Sequence, residues 1–242
     1  MYILWVIKKM NKVICSIDFS LNGSAIVIGN TSGAKDNDYG ILAFNYFSNL
    51  KSDQNNKFCV PIPDGISGTE KLDNLICHFL SIINKIDFIV LESASFNSQN
   101  SSTDFQGGYH IIRYLCRRLG IECLEVPPIT NKLFFTDNAR ATKNEMVDNA
   151  IKKFGDIIDF DKISKKHRED VSDALSLYEL GYKYLKSNRL PAPKGCVGTQ
   201  DIKYYDTLPL NQKQVIAKLY NRDDLYNEAK KQRDKLKKVK YV

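Results

Sequence analysis

Residues 12–30 read KVICSIDFSLNGSAIVIGN. An apolar, β-branched run ends in an acid at Asp18. Asn22-Gly23 then signals a two-residue turn, and a second apolar run follows over 24–30. The stretch predicts two antiparallel strands joined by a hairpin. An acid at the end of a core strand is costly unless it is paired or binds a metal. Asp18 is therefore the first residue whose placement needs a reason.

Working outward, 39–48 predicts a third strand, reached through the polar loop 31–38. Residues 51–67 are polar and broken by prolines, which predicts a loop. Over 69–85, Leu72, Leu75, Ile76, Phe79, Ile82 and Ile83 recur at helical spacing along one apolar face. DFIVLE at 87–92 predicts a short buried strand ending in a second acid, Glu92. Residues 93–108, rich in Ser, Asn, Gln and Gly, predict a mobile loop leading into a helix over 109–119 that Gly120 stops. A strand over 121–126 ends at Pro127-Pro128. A helix over 142–154 stops at Gly155, and 156–166 reads as a charged linker. A long amphipathic helix over 168–187 carries Val171, Ala174, Leu175, Tyr178 and Tyr182, and is opened by Asp170 and Asp173 at i, i+3. The segment LPAPKGCVG at 190–198 is a linker, and 208–242 predicts one or two basic helices.

Three strands followed by alternating helices and strands predict an α/β fold, a mixed sheet with helices on its faces. If the first strand and the strand ending at Glu92 are parallel neighbours, Asp18 and Glu92 meet at one sheet edge. The 168–187 helix could then lay Asp170 and Asp173 over them.

With 242 residues and 43% hydrophobic content the chain can bury a core, and 11% aromatics argue against global disorder. The net charge of +7 is uneven, because residues 211–242 hold 10 Lys+Arg against 4 Asp+Glu. A basic tail on a near-neutral body suits either an acidic partner, nucleic acid first, or a solvated helix. The six cysteines show no CxxC pattern, which points to reduced thiols in a cytoplasmic compartment. The apolar run in MYILWVIKKMNK is too short to span a bilayer, so no membrane association is expected.

Four carboxylates cannot sit together uncompensated, and two Mg²⁺ ions would supply the balance. Divalent cations held by carboxylates are the chemistry of a nuclease or phosphotransferase. Taken singly, each acid has a blander reading as a turn or helix-cap residue. Two other functions are open. A non-catalytic nucleic-acid-binding module would not need all four acids. An actin-like kinase would need a second nucleotide-binding half with Gly-rich phosphate loops, which this chain lacks.

The ordered set SIDFSLNGSAIVI, IVLESASF and REDVSDALSLYEL resembles the RuvC-type Holliday junction resolvases, which have an RNase H-like fold. ITNKLFFTDNARATKNEM, at 129–146, resembles that family's basic segment, with Lys132 and Lys143 eleven residues apart. The resemblance spans 12–187. It implies an RNase H-like nuclease domain there, a short N-terminal extension at 1–11, and a linker with a basic helical C-terminal extension at 188–242. It implies a metal site of Asp18, Glu92, Asp170 and Asp173, with two Mg²⁺ per active site and Mn²⁺ able to substitute. Lys143 would join the catalytic set, and Lys132, Lys143, Arg140, Phe96 and Arg113 would contact DNA. His167 is expected to face solvent at the helix entry, with a phosphate or metal-ligand contact as the alternative. The resemblance further implies a homodimer acting on four-way junctions, in repair or recombination. The Asn/Lys/Ile-rich composition suggests a phage or viral member working in the host cell cytoplasm.

Overall fold

The computed structural model describes residues 12–20, 23–32, 39–93, 103–187, 227–228 and 230–232. The strands are β1 (Val13–Asp18), β2 (Ala25–Asn30), β3 (Ile41–Ser48), β4 (Cys59–Pro61), β5 (Phe88–Glu92) and β6 (Glu122–Val126). The helices are α1 (Gly68–Ile82), α2 (Thr103–Leu119), α3 (Pro128–Thr136), α4 (Lys143–Phe154) and α5 (Lys165–Ser187). One mixed sheet has the order β4-β3-β2-β1-β5-β6. β1, β2 and β3 pair antiparallel in succession. β1 pairs parallel with β5, and β5 with β6. The expected adjacency of the two acid-bearing strands is therefore present.

β1 and β5 are interior strands of the sheet and are buried on both faces. On one face Ile14, Val27, Phe88, Val90 and Val126 pack under α3, α4 and α5. On the other, Cys15, Ile17, Ile26, Ile89 and Leu91 pack under α1 and α2. Each fully buried aliphatic or Phe side chain contributes about 1.5–3 kcal/mol. This two-sided burial is what holds charged residues at the strand ends. α5 is tied to β1 where Ser16 Oγ donates to the Ala174 carbonyl at 2.7 Å, and to α3 where Ser176 Oγ donates to Asn131 Oδ1 at 2.7 Å. Gly181 permits α5 to approach β5 closely, since a Cβ there would stand 2.3 Å from Val90 Cγ2. No described helix is long and apolar enough to cross a membrane.

Several boundaries differ from expectation. The register pairs Asp18 with Ala25, and Asn22 of the expected turn lies outside the described residues. The 51–67 loop contains a 3-10 turn at Lys51–Asp53 and the edge strand β4. α2 begins at Thr103 and runs through Gly107-Gly108. These glycines are not loop residues: a Cβ on Gly108 would lie 2.2 Å from Phe19 Cζ, so this position serves close packing. Pro127-Pro128 ends β6 but also starts α3, with proline in its first turn where no amide donor is needed. The 156–166 linker holds a 3-10 turn at Phe160–Lys162, and α5 begins at Lys165. Asp170 and Asp173 therefore lie inside α5 rather than opening it. Phe96, residues 1–11 and nearly all of 188–242 lie outside the described residues. Within the last span, 227–228 and 230–232 are helical.

Candidate active site

Alternation along a strand decides where the first two acids point. Asp18 shares its face with Ile14 and Ser16, and Glu92 shares its face with Phe88 and Val90. Both faces are the one that α5 covers. The parallel register, Ile14 with Phe88 through Ile17 with Leu91, brings Asp18 alongside Glu92. α5 crosses above them and supplies Asp170 and Asp173 one turn apart. All four sequence-predicted acids thus meet at one end of β1 and β5.

Their electrostatics record the crowding. Asp18 is held well above the usual carboxylate range, first by burial and then by Glu92, Asp173 and Asp170. Asp173 is pushed up to about 7 by burial and by Glu92, with Lys132 pulling the other way. Burial raises Glu92, opposed by a hydrogen bond with Asp18 and by the charge of Lys132. Burial also raises Asp170, opposed by His167 and Lys143.

Among the described residues, no three or more His, Cys, Asp or Glu side chains form a ready-made cation cage. Asp18 instead meets Glu92, and Asp170 turns an oxygen to His167. The donor set nevertheless fits Mg²⁺. Every member is a hard carboxylate oxygen donor whose charged form burial disfavours, and at Asp18 and Asp173 the neighbouring acids add charge that a divalent cation would neutralise.

The two lysines flank the acids. Lys132, half-buried on α3, is close enough to lower Glu92 and Asp173. Lys143 opens α4, whose start is set by a capping box between Thr142 and Glu145. Its ammonium pairs with Glu169 at 2.5 Å, which raises its pKa, and the charges of Asp170 and Asp173 add to the effect. Arg140 is exposed on the connection between α3 and α4, its backbone N–H donating to Asn138 Oδ1 at 3.1 Å. Arg113 is not brought to the acids. It sits on α2, across the sheet, paired with Glu125 at 2.7 Å and lying over the Tyr109 ring.

His167 is a correction. It is fully buried, with Nδ1 2.8 Å from Asp170 Oδ2. The helix starts earlier than the sequence suggests, which turns this position inward. Asp53, Glu169 and Gly23 were missed. Asp53 lies in a polar loop with no apolar pattern to mark it as buried. The i, i+3 spacing of His167 and Asp170 was a usable signal. Gly23 sits against the site, and a Cβ there would fall 2.3 Å from Asp170 Oδ2.

No protein-family model and no curated protein matches this sequence. Solved structures are similar in fold. Thermus thermophilus RuvC in complex with Holliday junction substrate is 12% identical, with a TM-score of 0.50, over 75% of this chain and 99% of that one. The fowlpox virus resolvase in complex with substrate Holliday junction DNA is 16% identical, with a TM-score of 0.42, over 73% and 98%. At such identity the likeness speaks to architecture alone: the chain has the fold of RuvC, an RNase H-like mixed sheet flanked by helices.

Proposed function

We propose that this chain is a Mg²⁺-dependent DNA endonuclease that resolves four-way junctions or other branched DNA by paired nicking, acting as a homodimer. One observation carries the reading. β1, β5 and α5 bring Asp18, Glu92, Asp170 and Asp173 to one spot, with Lys132 and Lys143 beside them. Turn and cap roles do not account for Asp18 and Asp173, whose pKa values are raised by burial and by the charge of the acids around them. The shared fold with RuvC, solved with a Holliday junction substrate, supports branched DNA as the substrate class.

Bound divalent cations, Mg²⁺ or Mn²⁺, would supply charge neutralisation and water activation for phosphodiester hydrolysis. Asp18 feels all three other acids and would be among the residues that hold the cations. Glu92, Asp170 and Asp173 complete the oxygen set. Lys143 and Lys132 would offset negative charge developing on the scissile phosphate. Cleavage would leave 5′-phosphate and 3′-hydroxyl ends. A two-fold pair of such sites matches a substrate with two-fold symmetry.

The test compares wild type and Asp18→Asn on four-way, flap, fork and linear DNA, in Mg²⁺ and in EDTA. Wild type should nick branched DNA only with Mg²⁺. The variant should bind the junction but leave it uncut. Cutting by Asp18→Asn, or by wild type in EDTA, would sink the assignment.

A further inference from the structure

His167 is a buried titratable side chain that the proposed chemistry leaves unused. Its Nδ1 is 2.8 Å from Asp170 Oδ2, while Nε2 faces Asp53 Oδ2 at 3.9 Å. Nε2 is buried without a hydrogen-bond partner among the described residues. The Tyr46 ring lies against the imidazole, centroids 5.5 Å apart. Asp53 is itself 2% exposed, and its Oδ2 accepts from Ser48 Oγ at 2.7 Å and Ser164 Oγ at 3.0 Å. The Ser164 carbonyl accepts the backbone N–H groups of His167 and Arg168. Asp53 therefore fastens the end of β3 to the entry of α5, directly behind the imidazole.

Burying a half-satisfied imidazole beside a buried carboxylate costs stability that an apolar side chain of similar size would avoid. The arrangement does one thing an apolar side chain could not. It aims a ring nitrogen at Asp170 Oδ2, and the Gly23 backbone packs against the same carboxylate. A carboxylate gripped in this way has little freedom to rotate. We infer that His167, braced by Asp53, is a positioning residue that orients Asp170 toward the cation. This rests on the four-acid metal site proposed above.

The test is titration calorimetry of the full chain with Mn²⁺, alongside thermal melts, for wild type, Asp18→Asn, His167→Ala, His167→Asn and Asp53→Asn. The asparagine amide stands near the lost Nδ1 and restores a donor to Asp170. Partners that hold a ligating carboxylate typically govern metal affinity ten- to hundredfold, so His167→Ala should weaken Mn²⁺ binding by about that factor and His167→Asn should recover to within about threefold. Asp53→Asn should weaken binding in the same direction. A folded His167→Ala with wild-type affinity, while Asp18→Asn has lost binding, overturns this inference and leaves the metal site standing. An Asn variant as weak as Ala overturns it too, because packing alone would then be at work. Should His167→Ala not fold, Asp53→Asn decides: wild-type affinity there overturns the brace, and weakened affinity with a recovered His167→Asn supports it. Equal Mn²⁺ binding by wild type and Asp18→Asn removes the metal site and this inference together.

Discussion

Replacing Asp173 with Asn should make the metal-free protein more stable at pH 8. Asp173 has a folded-state pKa of about 7 against an ordinary value of 3.8, chiefly because it is buried and because Glu92 and Asp170 lie near. A carboxyl whose folded pKa is raised binds its proton more tightly in the native state. Stability is therefore greatest below about pH 4 and is lost as pH rises through the folded pKa near 7. A shift of about three units, at ~1.36 kcal/mol per unit, sets an upper bound of about 4 kcal/mol at pH 8. Partial solvent access and relaxation of the neighbouring acids reduce this to an expected gain of about 1–3 kcal/mol, or roughly 3–10 °C in Tm for a chain of this size. The assay is thermal unfolding of wild type and Asp173→Asn in EDTA at pH 5 and pH 8, repeated with Mg²⁺. The advantage of the variant should shrink to below half by pH 5, and Mg²⁺ should stabilise wild type more than the variant. A variant less stable than wild type at pH 8 in EDTA would show that the carboxylate is a structural hydrogen-bonding group, and the electrostatic argument for the site would fail.

Two further outcomes are expected. Gly23→Ala places a methyl group 2.3 Å from Asp170 Oδ2, with the backbone itself free of left-handed strain. Displacing a reactive group by an ångström can cost about 10²-fold, so junction cleavage should fall by that order, and single-turnover kinetics at wild-type rates would refute the contact. Lys143→Ala breaks an exposed ion pair with Glu169. Its stability should therefore change by no more than ~1 kcal/mol in urea unfolding, while the cleavage rate falls about a hundredfold if the lysine offsets charge on the phosphate.

Much of the site was legible because apolar runs that end in an acid are informative in themselves. Asp18 and Glu92 stand out for the cost of placing charge at the end of a buried strand. Asp170 and Asp173 stand out for sharing one helix face beside Ala174, Leu175 and Tyr178. What was illegible has particular causes. Gly107 and Gly108 have the composition of a loop, but Gly108 faces Phe19 and Leu72, so it is a contact point inside α2. Pro127-Pro128 signals both the end of β6 and the start of α3, and the sequence shows only the first. His167 sits among lysines, an arginine and acids that predict solvent, yet its ring is enclosed by Tyr46, Asp53 and Asp170. Asp53 belongs to a polar stretch whose burial comes from distant partners, Ser164 on the approach to α5 above all.

By itself the sequence determined most of the strands and helices, β4 and α3 excepted, and which acids sit where a core residue should be. Those follow from local periodicity and from the desolvation cost of charge. Only the tertiary structure decided that Asp18 and Glu92 point to the same side of the sheet. In strands buried on both faces the apolar run is continuous, so no alternation marks one side from the other. The parallel register of β1 with β5 settles it, together with the choice of that face by α5. The same packing puts Arg113 on the far side of the sheet, sets Asp53 behind His167 and brings Gly23 against Asp170, contacts between residues far apart in the chain that no local pattern encodes.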